Sequence, residues 1–75
     1  MKTFVQIIDV NTGVYQTGMI DEPVKKGLEI ENAIGHFGIS YLDVNWLSEN
    51  EDKKYINRFG QVEGTSKIVT VILLK

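Results

Sequence analysis

The fold class this sequence predicts is a two-layer α+β sandwich, a mainly antiparallel sheet of four or five strands covered by one or two helices. Three observations predict it. The chain opens with a β-hairpin, continues into an amphipathic helical stripe, and ends in an apolar run at Lys67 to Leu74 that reads as a second central strand.

The hairpin is carried by Phe4 to Val10 and Val14 to Ile20, with Asn11-Thr12-Gly13 supplying the turn. Its first strand is apolar on both faces, with Phe4, Ile8 and Val10 on one and Val5 and Ile7 on the other, as a central strand would be. Its second contains Gln16 and Gly18 and suits an edge. Asp21-Glu22-Pro23 has the form of a helix start, and Ile30, Ala33, Ile34 and Phe37 follow at i, i+3, i+4, i+7 spacing. This predicts a helix from about Val24 to Phe37, closed by Gly38 with Ile39 packing back on Ile34, and with Gly27 able to delay its regular part to about Leu28.

Ile39 to Leu47 alternates Leu42, Val44 and Trp46 with Tyr41, Asp43 and Asn45, and predicts a strand. Trp46 beside Leu42 and Val44 is read as core before interface. Two patterns compete from Ser48 to Gly60. Ser48 and Glu51 form a capping box and Gly60 can end a helix, which favours a short helix near Glu49 to Phe59. Tyr55, Asn57 and Phe59 alternate as a strand would, and in that case one helix must cover the larger sheet. The strand version leaves one face of the sheet bare and predicts a homodimer.

All 75 residues form one domain, 1–75, with no linker or repeat. Cysteine is absent, so self-association is the stabilising device left to a chain this small. The opening residues alternate and meet Asp9 too early for a secretory signal, and Val71 to Leu74 is too short to cross a bilayer. These features predict a cytoplasmic protein without membrane contact. Ala33, Pro23 and Arg58 are each the only residue of their type amid plentiful Ile, Asn and Lys, a bias that AT-rich codons produce and that points to a bacterial or phage accessory protein.

Catalysis is poorly provided for. His36 is the only histidine, and a structural role at the helix end outranks service as a general base. An enzyme survives only if His36 lies in a pocket with a carboxylate. No cofactor is expected, and no metal, since there is no second histidine or calcium-loop pattern and Glu49, Glu51 and Asp52 read first as complement to a helix dipole. Gly13 to Gly18 lacks the lysine of a phosphate loop. Gly35-His36-Phe37-Gly38 has the spacing of a KH-type GxxG loop without its positive charge, and a helix C-cap explains it better.

Charge offers the remaining signal. Eight of the ten acids lie between Asp21 and Asp52 against only Lys25 and Lys26, a net of −6, while the rest of the chain is net positive. Helix starts account for Asp21, Glu22, Glu49, Glu51 and Asp52, which leaves Glu29, Glu31 and Asp43 as candidate protein-binding residues. The expected function is therefore a small non-enzymatic interaction or regulatory protein that presents an acidic surface to a basic partner protein. The alternative is a nucleic-acid-binding module within residues 53–67, using Lys53, Lys54, Tyr55, Arg58 and Phe59, with Lys67 beside them. An acidic chain with one arginine speaks against it.

Overall fold

The computed structural model describes residues 2–75. Five strands, β1 (Lys2–Asp9), β2 (Tyr15–Asp21), β3 (Val44–Glu51), β4 (Tyr55–Val62) and β5 (Lys67–Leu74), form one sheet in the order β2-β1-β5-β4-β3, every neighbouring pair antiparallel. One helix, α1 (Glu29–Gly35), lies on one face of it. The α+β sandwich is thus realised in its one-helix form.

The segment from Ser48 to Gly60 is a hairpin and not a helix. Its capping box is overruled because β5 is apolar on both faces and sits at the centre of the sheet, so it needs a hydrogen-bonded neighbour on each side. β1 serves one side, and Tyr55 to Gln61 pair with Leu74 to Ile68 on the other. The strand predicted from Ile39 starts later, at Val44, after a 3₁₀ turn at Tyr41–Asp43, and Leu42 points into solvent at 89% exposure instead of joining the core.

The helix is also shorter than the predicted Val24 to Phe37. Gly27 takes φ +95°, a turn closes through the Leu28 N–H to the Lys25 carbonyl, and regular helix begins only at Glu29. At the other end Gly38 takes φ +76° and the Ile39 N–H reaches back to the Ile34 carbonyl at 3.2 Å, a Schellman closure.

Ile30, Ala33 and Ile34 on α1 pack against Val5 and Ile7 of β1 and Val69, Val71 and Leu73 of β5, with Val44 completing the buried set. Phe37 extends this cover over Gly18 of the edge strand, its ring tip 2.8 Å from where a β-carbon would stand. Seven helical residues cannot cover five strands. α1 lies over β1 and β5, leaving part of the helix side beside β4 and β3 as a groove and the whole opposite face of the sheet uncovered.

Candidate functional site

A β-bulge builds one wall of the groove. Trp46 pairs with Gly60 but Ser48 pairs with Phe59, so Leu47 is an extra residue in β3. Because side chains alternate along a strand, one extra residue exchanges the faces beyond it. Val44 and Trp46 face the helix side before the bulge, and Glu49 and Glu51 do so after it, opposite Arg58 and Ile56.

These residues interlock. Arg58 binds the Glu49 carboxylate, donates from Nη1 to the Tyr41 hydroxyl at 2.9 Å, and stands 5.8 Å from the Trp46 ring centroid. Tyr41 and Trp46 meet as a tilted aromatic pair with centroids 5.6 Å apart. Partial burial pushes the Arg58 guanidinium toward losing its proton, but the bonds to Glu49 and Tyr41 outweigh that and hold it more firmly charged than usual. The Trp46 Nε1 is sealed from solvent and has no acceptor among the described residues, so the ring is held by its faces.

Between this cluster and the start of α1 lies a hollow of about 370 Å³, with Ile56, Leu73, Leu28 and Tyr41 as its apolar surfaces and Glu29, Glu31 and Arg58 at its rim. It runs on past Ile56 and Leu73 to Glu51, Lys26 and Lys75. Lys75 Nζ sits 2.6 Å from the Glu51 carboxylate. Carboxylates therefore stand on both walls, Glu29 and Glu31 on the helix and Glu51 on β3, with Glu49 in an adjoining hollow beside Trp46, Tyr41 and Arg58.

The predicted protein-binding acids are brought together only in part. Glu29 and Glu31 line the groove, whereas Asp43 is exposed on the 3₁₀ turn, its carbonyl accepting the Glu63 N–H. Their electrostatic meaning changes too. Glu29 and Glu31 occupy the first turn of α1, where the helix dipole favours acids, and Glu29 also accepts the Gly27 N–H at 2.7 Å. Asp21, Glu22, Glu49, Glu51 and Asp52 begin no helix. Glu49 and Glu51 were not placed on the helix side from sequence because only the bulge turns them inward.

The nucleic-acid alternative is divided by the sheet. Tyr55 and Phe59 project from the uncovered face with Lys53 and Lys54 in the adjoining turn, while Arg58 projects from the helix face into the Glu49 and Tyr41 contacts. Lys67, paired with Asp9, also lies on the helix side.

His36 does meet a carboxylate. Its Nε2 is 2.8 Å from Glu22 Oε1, which also accepts the Asn32 amide at 2.6 Å. The hollow beside it is lined by Glu31, Asn32 and Gly35, and the Glu22 contacts to His36 and Asn32 fasten the loop after β2 to α1. A second fastening joins the two turns at the far end of the sheet, where Asp9 accepts the Ser66 hydroxyl at 2.7 Å and the Asn11 N–H at 3.0 Å.

Both carboxyls are held below their ordinary values, Glu22 by Asn32 and then His36, Asp9 by Ser66 and then the Asn11 amide. A carboxyl whose pKa is lowered on folding contributes stability above its unfolded value and loses it as pH falls through the folded one. Stability should therefore decline as pH drops below about 4.5 for Glu22 and 3.8 for Asp9. Thermal melts of Glu22→Gln and Asp9→Asn between neutral pH and pH ~3 test this, since each variant should flatten the acid decline relative to the parent.

No known protein family, curated protein or solved structure matches the chain. Among the described residues, no helix is long and apolar enough to cross a membrane.

Proposed function

We propose that this chain is a small non-enzymatic interaction protein whose groove receives a basic, partly apolar segment of a partner protein. The carrying observation is the groove's composition: an apolar floor at Ile56 and Leu73, a Tyr-Trp-Arg cluster at one end, and carboxylates on both walls. Trp, Tyr and Arg are the side chains that most often dominate binding energy at protein interfaces. The ion pair of Glu51 with Lys75 is exposed enough that an incoming lysine or arginine can displace Lys75 at little cost. A regulatory role in the cytoplasm completes the proposal, the lack of cysteine suiting a reducing compartment.

The test is binding of an amphipathic Lys/Leu peptide measured against salt. Affinity should fall as salt rises, and the double variant Glu29→Gln, Glu31→Lys should weaken it by about tenfold. Gln at 29 retains an acceptor for the Gly27 N–H, so the fold is spared. Equal affinity for an acidic peptide of the same length, or salt-sensitive retention on nucleic acid lost with Lys53→Ala and Lys54→Ala, would refute the proposal.

A further inference from the structure

We infer that the uncovered face of the sheet is the contact surface between two copies of this chain. The distribution of charge across the sheet carries the inference. A half-covered antiparallel sheet ordinarily keeps its charged side chains on the solvent side. Here the register places Asp9, Glu49, Glu51, Arg58 and Lys67 all on the helix side. The uncovered face has only Lys2 and Asp21, cross-strand partners at one end.

Between that end and the turns, the uncovered face is neutral across all five strands. Phe4 lies beside Ile72 and Ile8 beside Ile68, all half-buried against one another, with Tyr55 and Phe59 flanking them at 38% and 39% exposure. The polar residues among them are amides and hydroxyls such as Gln6 and Thr70, which can bond across an interface without repelling their own kind.

The area suffices. With strands ~4.8 Å apart and ~3.3 Å of rise per residue, the five strands present a face of roughly 20 by 25 Å, about 1,000 Å² for two copies before side-chain relief is added, which meets the lower threshold for a biological interface. Between its ends the face offers a charged partner nothing to pair with. A second copy meets an identical neutral surface across a two-fold axis, and the pair forms a sandwich of two sheets with each α1 outside. Both grooves stay open, so the dimer stands or falls independently of the groove's partner.

Sedimentation equilibrium at tens of micromolar decides it, with an expected mass of twice 8.5 kDa. Thr70→Lys, a half-buried polar position midway along the central strand, sets like charges against each other and should weaken the dimer roughly a hundredfold with an unchanged far-UV spectrum. Phe59→Glu should act the same way and carries the test if Thr70→Lys fails to fold, whereas Glu31→Lys on the other side should leave the dimer intact. A wild-type monomer overturns the inference, whether it remains alone or settles on lipid vesicles through this face. A dimer indifferent to both face variants overturns it as well.

Discussion

Replacing Ile34 with alanine is expected to produce the largest loss of stability of any single truncation in this chain. Ile34 is fully buried on the one α-helix among the described residues, and the core it completes has nine buried apolar residues among them. Removing its branched side chain forfeits transfer energy and leaves a cavity that a sheet on one side and a single short helix on the other cannot readily collapse, a loss of about 2–5 kcal/mol. A domain of this size has roughly 4–11 kcal/mol in total. The melting temperature should drop by roughly 10–40 °C. Leu42→Ala is the matching control. Leu42 is exposed on the 3₁₀ turn, so its removal should stay within about 0.5 kcal/mol of the parent in a denaturant titration. Equal losses from the two substitutions would mean that the core has been misplaced.

That pair of substitutions also marks where sequence periodicity stops being informative. Leu42, Val44 and Trp46 share the period of a strand, yet only Val44 and Trp46 lie on one, because Ser40 to Asp43 close a 3₁₀ turn first. Period-two spacing reports which residues share a face once a strand exists and says little about where it starts. The opening hairpin was legible because turn chemistry and two-sided apolarity agreed over the same residues, and β5 was legible for its two-sided apolarity alone.

From Ser48 to Gly60 the local and non-local demands conflict. Capping residues act through neighbours three positions away, whereas the need of β5 for a second neighbour acts through the whole sheet. The same conflict hid the groove. Glu49 and Glu51 read as helix-start acids, and the physical event that turns them toward Arg58 and Ile56 is a single inserted residue, Leu47, that leaves no distinctive local pattern. The bare sheet face was anticipated conditionally, since two central strands apolar on both sides must leave one side uncovered when only one helix is available, whereas its neutrality follows from the register alone.

Gly60→Ala is expected to detach β3 from the rest of the sheet while leaving β1, β2 and β5 paired. The sequence offered Gly60 as a helix terminator, but it lies buried within β4 opposite Trp46. A β-carbon there would stand 2.6 Å from the Asn45 carbonyl oxygen, 2.9 Å from a Val44 methyl and 3.0 Å from the Trp46 Cα. Two of those three contacts are backbone, so no rotamer change relieves them and the strands themselves must separate, at about 1–3 kcal/mol. The loss falls on β3, which as an edge strand has no neighbour on its outer side to hold it. Separation pulls Trp46 away from Arg58 and Tyr41, and because Trp46 is the only tryptophan its emission should shift to the red and become more accessible to acrylamide. Amide exchange should accelerate through Val44–Glu51 and the facing part of β4 but not in β1. Groove binding of a basic peptide should fall with it, since Glu51 leaves the wall. An unshifted Trp46 emission in a folded Gly60→Ala protein would show that β3 does not depend on this close approach.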